Sequence, residues 1–338
     1  MSQRADAAAP LLELRGISKR FSSRVDLASR IAARLGAGVR EQTVHALDRV
    51  DLAVAPGEVV GLVGESGCGK STLGRIVARI LEPTAGERRW KGHDYSHYEN
   101  PAAREERLAI QMIFQDPFAS LNPRLRIVDV IGEAPVVHGL VPPAERESYV
   151  AEVMQRVGLD ASLARRFPHQ FSGGQRSRIG IARALAVKPQ FLVCDEAVAA
   201  LDVSIQAQVL NLFIRLREEF GLTYLFISHD LGVVRHLSDR VVIMYLGRIV
   251  ESAPSDEVFA RPNHPYTRAL LAEIPRLEAT KRAYAPIKGE IPSPLDPPSG
   301  CHFYPRCPHA TPRCQTEAPQ LREVAPRHHS ACHLNDTP

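Results

Sequence analysis

Gly64-Glu65-Ser66-Gly67-Cys68-Gly69-Lys70-Ser71 fits the pattern G-x-x-x-x-G-K-S. That spacing suits one kind of chemistry, the grip of a polyphosphate. Glycines let successive backbone N–H groups turn inward onto phosphate oxygens. Lys70 would reach the β- and γ-phosphates, and the Ser71 hydroxyl would bind Mg²⁺. The alternative is a chance glycine-rich turn, and the flanking sequence argues against it. Residues 59–63 (VVGLV) read as a short buried strand that runs into Gly64. From Thr72 onward, Leu73, Ile76, Val77, Ile80 and Leu81 recur with helical period. The helix would add its positive dipole end to the phosphate site. A nucleotide site follows.

Hydrolysis needs acidic and water-orienting groups beside that site. The apolar run 191–194 (FLVC) ends in Asp195 and Glu196, at the strand end where α/β sheets place ligands. Successive strand residues face opposite ways, so the two carboxylates should have different tasks. Asp195 suits the Mg²⁺ shell, and Glu196 suits a base or water-orienting group. His229 closes another apolar run (YLFIS) and could polarise a γ-phosphate. Gln115 ends the stretch QMIFQ and could sense both Mg²⁺ and water. Taken singly, each of these last residues is equally well an ordinary strand end.

The elements that must position them alternate between short apolar runs and helical patterns, the signal of an α/β sheet. Residues 11–21 read as an edge strand, 22–42 as a polar insertion, and 191–194 and 224–228 as buried strands. Between the last two, Val209, Leu212, Phe213, Leu216 and Phe220 form one apolar helix face. No apolar run approaches the roughly 20 residues that cross a bilayer, and the first ten residues lack a signal-peptide core. A cytoplasmic location is expected, with disulfides disfavoured. Lys plus Arg number 42 against 38 Asp plus Glu, a net charge of +4. That excess gives no reason to expect a nucleic-acid partner.

Phe171-Ser172-Gly173-Gly174-Gln175-Arg176 lies shortly before Asp195-Glu196. With the phosphate loop, Gln115, Ala200-Leu201-Asp202 and His229, all in the same order, the chain resembles the ATP-binding cassette (ABC) proteins over about residues 11–251. The resemblance implies an α/β fold, an ABC-type nucleotide-binding domain with a P-loop NTPase core sheet. A helical signature subdomain at about 116–187 would sit within a cassette at 1–255. It implies ATP contacts from Gly64 to Thr72, with Ser71 and Gln115 serving Mg²⁺, and catalysis by Glu196 and His229. Ser172, Gly173, Gly174, Gln175 and Asp202 would face the ATP of a second cassette. Phe21 matches the usual adenine-stacking aromatic, with a core or edge role equally open. Phe171 and Ser177 depart mildly from the family's pattern. Ala197-Val198-Ala199 stands where Pro-Thr-Ser is common, which puts the coupling between the two ATP sites in question.

Residues 115–124 (QDPFASLNPR) and 264–271 (HPYTRALL) narrow the resemblance to di- and oligopeptide importers and their nickel-importing relatives. That family implies a second ATPase subunit, commonly non-identical, two integral membrane permease subunits and an extracytoplasmic substrate-binding protein. The chain would sit peripherally on the cytoplasmic membrane face. Nickel or another small solute is the alternative cargo. A soluble ABC protein of translation or repair, or a redox module, is the alternative function.

Residues 286–338 hold 11 of the 26 prolines and four of the six cysteines. Such a tail should be mostly irregular and needs a fastening other than a core, and it belongs to a C-terminal extension at 256–338. Cys301, Cys307, Cys314 and Cys332 are separated by 5, 6 and 17 residues. Structural zinc prefers closer pairs, whereas four thiolates are the ligand set of a [4Fe–4S] cluster. Some peptide-importer cassettes carry such a cluster at matching cysteines. Zinc, helped by His302, His309, His328, His329 or His333, and four free thiols are the alternatives. Cys68 and Cys194 need no special role.

Overall fold

The computed structural model describes residues 9–22, 42–95, 107–116, 120–273 and 289–336. Among the described residues twelve strands follow in chain order: β1 (Leu12–Ser22), β2 (Thr43–Val54), β3 (Val59–Val63), β4 (Ala85–Trp90), β5 (His93–Asp94), β6 (Ile110–Ile113), β7 (Phe191–Asp195), β8 (Thr223–Ile227), β9 (Arg240–Tyr245), β10 (Arg248–Pro254), β11 (Arg322–Ala325) and β12 (His328–Ser330). An eight-stranded sheet runs β11-β12-β10-β9-β3-β8-β7-β6, and a four-stranded sheet runs β2-β1-β4-β5. Strands β9, β3, β8, β7 and β6 pair in parallel, and β10 turns back antiparallel on β9.

The parallel strands are mostly apolar because both of their faces are covered. Side-chain parity assigns the faces. Leu192, Cys194, Tyr224 and Phe226 pack with Ile179, Ala182, Val209 and Phe213 of the helices on one side. Phe191, Val193, Leu225 and Ile227 pack on the other, with Leu73 and Ile76 and with Leu12 and Leu14 of the smaller sheet. Each large side chain buried this way contributes roughly 1.5–3 kcal/mol. The helix after the phosphate loop (Lys70–Val77) lies very close to the sheet. A Cβ on Gly74 would fall 2.7 Å from Ile227 Cδ1 and 3.0 Å from Val193 Cγ1.

Several sequence expectations change. The first strand is interior, with β2 and β4 on either side of β1, so it is not an edge. Nearly all of the expected 22–42 insertion lies outside the described residues, but Ser22 pairs with Thr43 across its base. The phosphate-loop helix ends at Val77. Arg79 takes φ 62°, and the Ile80 N–H reaches back to the Arg75 carbonyl at 2.8 Å. Ile80 is therefore 50% exposed rather than on the buried stripe. Phe220, last residue of the Val203–Phe220 helix, is likewise 40% exposed.

The proline-rich tail is more ordered than its composition predicts. Strands β11 and β12 form a hairpin that joins the main sheet through β12 on β10. Phe303 is buried in a core with Tyr245, Tyr266 and Val258. Glu251 of β10, wholly buried, accepts the N–H groups of Asn263 and His264 and contacts His328 Nε2 at 2.6 Å. Sheet pairing, a small core and a buried polar network therefore hold the extension.

Candidate functional site

The phosphate loop connects β3 to its helix, and its geometry demands glycine. Gly69 has φ +106°, and a Cβ there would meet the Ala46 carbonyl oxygen at 2.4 Å. Lys70 is buried, its Nζ donating to the carbonyls of Gly64 at 2.6 Å and Glu65 at 2.9 Å. Its ammonium therefore sits in the loop's hollow, where a polyphosphate would meet it. Cys68 is buried beside it, and burial pushes its thiol up, which makes it an inert packing residue. Phe21 lies close by through β2. It pairs with Val44, two residues before the Ala46 that abuts Gly69. The residue is 41% exposed, with Lys19 Nζ 5.1 Å from its ring centroid.

Strand parity directs Asp195, and a left-handed turn just past the strand end redirects Glu196. Asp195 continues the Phe191 and Val193 face, toward the phosphate-loop helix, and Ser71 Oγ donates to its Oδ1 at 2.8 Å. Burial pushes the Asp195 carboxyl above its usual range, against the opposing Ser71 hydrogen bond and the Arg75 charge. A hydroxyl and a carboxylate so joined fit a Mg²⁺ shell, since both oxygens are hard donors. Glu196 turns the other way with φ +49°, a strained value for a residue with a side chain. Gln115 Nε2 donates to Glu196 Oε2 at 2.7 Å, and His229 Nδ1 lies 3.4 Å from Glu196 Oε1. Three residues separated by up to 114 positions thus meet on one carboxylate. Together they can hold a water and accept its proton.

The signature residues form a helix N-terminus. The helix spans Gly173–Leu185. A capping box sets its start: Ser172 Oγ accepts the Gln175 N–H at 3.3 Å, and Gln175 Oε1 accepts the Ser172 N–H at 3.0 Å. Gly174 admits Ile205, whose Cγ2 would lie 2.5 Å from any added Cβ. Ser177, one turn on, is buried and donates to the Ala197 carbonyl at 3.4 Å. That contact ties the signature helix to the loop carrying Glu196. Asp202 stays exposed at the start of the Val203–Phe220 helix, beside Val203 at 82% exposure.

The profile of the ABC transporter family matches residues 47–199, and that of the oligopeptide/dipeptide transporter C-terminal region matches 250–314. The chain is 50% identical over 328 residues to the oligopeptide transport ATP-binding protein AppF of Bacillus subtilis, covering 96% of this chain and 97% of that one. This chain belongs to the ABC transporter ATP-binding proteins. The dipeptide transport ATP-binding protein DppF of Haemophilus influenzae is 46% identical over 303 residues, 89% of this chain and 90% of that one. Among solved structures, the dimeric post-hydrolysis state of the ATP-binding cassette MJ0796 bound to ADP and Pi superposes with TM-score 0.61 at 26% identity. It covers 72% of this chain and 98% of that one. Among its described residues, this ABC ATPase has no helix long and apolar enough to cross a membrane.

The C-terminal cysteines of this ABC ATPase gather at one place. Cys301, Cys307, Cys314 and Cys332 all line a cavity of about 100 Å³, together with His264, His309 and His333. Burial first, then the neighbouring thiols of Cys314, Cys332 and Cys307, push the Cys301 thiol up to about 11. As the side chains stand, no group of three or more His, Cys, Asp or Glu among the described residues could hold a metal ion. His302 points away from the cysteines, onto the Leu246 carbonyl at 2.8 Å, and His328 onto Glu251. Neither of those histidines lines the cysteine cavity.

Sequence reading missed two contacts on the phosphate loop itself. Tyr266 Oη accepts the Glu65 N–H, and Arg306 pairs with the Glu65 carboxylate. The available signals were a charged residue inside a glycine loop and an arginine between Pro305 and Cys307.

Proposed function

We propose that this chain hydrolyses ATP to power import of di- or oligopeptides through a membrane ABC transporter. The observation that carries the proposal is the convergence of Gln115 and His229 on Glu196, beside a Lys70, Ser71 and Asp195 phosphate site. In this reading residues 64–72 cradle ATP, and Ser71, Asp195 and Gln115 serve Mg²⁺. Glu196 accepts the proton of the attacking water, while His229 steadies the γ-phosphate. Phe21 stacks on adenine. The names of AppF and DppF support peptide as the cargo, as does the oligopeptide/dipeptide match at 250–314.

The assembly is a pair of cassettes, this chain and a non-identical partner, under two permease subunits fed by an extracytoplasmic binding protein. The exposed run Ala199, Ala200, Asp202 and Val203 supports a facing subunit, because apolar residues beside a charged site favour cover. Ser172–Gln175 and Asp202 then address the partner's ATP. The cassette occupies 1–255, with its helical subdomain at about 116–187, and 256–338 forms the extension, all on the cytoplasmic face of the membrane.

The four cysteines of the extension suit a [4Fe–4S] cluster. They surround one cavity, they are all thiols, and cluster ligands stand further apart than those of a single ion. Such a cluster would supply structural fastening or redox sensing away from the ATP site.

Co-expression with both permease subunits and the second cassette tests this assembly. The complex should purify intact through a tag on this chain alone. Recovery of this chain without membrane subunits, under conditions where they assemble with one another, would count against it.

A further inference from the structure

The phosphate loop is held from outside the cassette. Arg306 meets the Glu65 carboxylate with both arms of its fork, Nη1 to Oε2 at 2.7 Å and Nη2 to Oε1 at 3.0 Å. The two side chains are only 6% and 19% exposed. From the same side, buried Tyr266 takes the Glu65 backbone N–H on its hydroxyl at 2.9 Å. Both anchors rest on one aromatic cluster. Tyr245, Tyr266 and Phe303 pack in tilted and edge-to-face pairs with ring centroids 4.7–5.4 Å apart, and Arg306 Nη1 reaches Tyr245 Oη at 3.4 Å. Neither Tyr266 nor Arg306 lies within the stretch 47–199 that matches the ABC family profile.

The charges make this contact more than a fastening. A carboxylate on a loop that binds a polyanion opposes binding, and the repulsion is weakly screened where water is excluded. An arginine paired through both arms cancels that charge and fixes the carboxylate's direction, which a lysine does less well. We propose that Arg306 is a positioning residue of the nucleotide site. Paired with Glu65, it neutralises and orients the phosphate loop, so the extension sets how tightly ATP is held. The inference rests on the assignment of residues 64–72 to nucleotide. Arg306 is itself carried on a turn bounded by two of the cysteines. The Tyr304 N–H donates to the Cys301 carbonyl at 3.1 Å, and the Cys307 N–H to the Tyr304 carbonyl at 3.2 Å.

A double-mutant cycle read by calorimetry with Mg-ADP on the full chain tests the proposal. Arg306→Gln should weaken binding about tenfold, while in a Glu65→Gln background the same change should cost less than about twofold. Arg306→Lys should restore part of the loss. Glu65→Gln alone removes the opposing carboxylate and should bind Mg-ADP more tightly than wild type, a reading that stands even if Arg306→Gln folds poorly. Equal losses from Arg306→Gln in both backgrounds would overturn the proposal, because Arg306 would then only fasten the extension. Weakened binding by Glu65→Gln alone would overturn the charge argument. Lys70→Ala, run alongside, tests the underlying assignment. If it binds as wild type does, the nucleotide site itself is misplaced, whereas a Lys70 loss with a flat cycle removes only the role of Arg306.

Discussion

Replacing the Glu196 carboxylate by an amide of equal size separates binding from turnover. The amide keeps a partner for Gln115 but cannot accept a proton from water. Glu196→Gln should therefore bind ATP as wild type does while phosphate release falls by at least about 100-fold, the usual worth of a positioned base. His229→Ala should also spare affinity and slow release, since Lys70 and the loop hold the phosphates while His229 adjoins Glu196. Phosphate release by Glu196→Gln at the wild-type rate would assign the chemistry elsewhere. The motif residues were legible in the sequence because backbone cradles and strand ends demand particular residue types at fixed local spacings. Arg306 and Glu65 were not. An ion pair spanning 241 positions leaves no periodicity or spacing to read.

At the scale of elements, the buried strands were legible because both of their faces are largely apolar, whereas Glu196 lies beyond the strand end in a left-handed turn that strand alternation does not describe. Helix ends were less legible. The Ser172 capping box starts its helix at Gly173, and Arg79 stops another early by entering the left-handed region. The helix Pro265–Ala272 carries a testable pH dependence. Its cap is His264, whose Nδ1 accepts the Tyr266 N–H at 3.0 Å. Burial lowers the His264 pKa to about 3, outweighing the opposing hydrogen bond with Ala331. Below pH 6.5 the unfolded chain takes up a proton that the folded chain refuses. Stability should therefore fall as pH drops from 6.5 toward 3, by roughly 1.4 kcal/mol per unit at most. His302, lowered by burial to about 4, adds to the fall over the window from 6.5 to 4. His264→Asn keeps a capping oxygen without the titration. Its melting temperature should drop less than that of wild type between pH 7 and pH 5. Equal drops would show that His264 does not govern the acid response.

Across the whole molecule, the extension is a continuation of the main sheet rather than an appendage on an irregular tail. Composition concealed this, because prolines dominate the count while the strands β11 and β12 are only four and three residues long. The four cysteines could be named from sequence, but their convergence on one cavity depends on how the hairpin docks on β10. A cluster there makes a visible prediction. Protein purified without oxygen should be brown, and Cys307→Ser should remove the colour. Colourless wild-type protein carrying stoichiometric zinc would contradict the cluster and leave a structural metal in its place. The central claim is that ATP hydrolysis on this chain drives peptide across a membrane. Uptake of labelled peptide into vesicles holding both cassettes, both permease subunits and the binding protein measures that directly. ATP should drive accumulation with wild-type chain and fail to do so with Glu196→Gln, although the binding protein still captures peptide. Accumulation at the wild-type rate with Glu196→Gln would contradict the account.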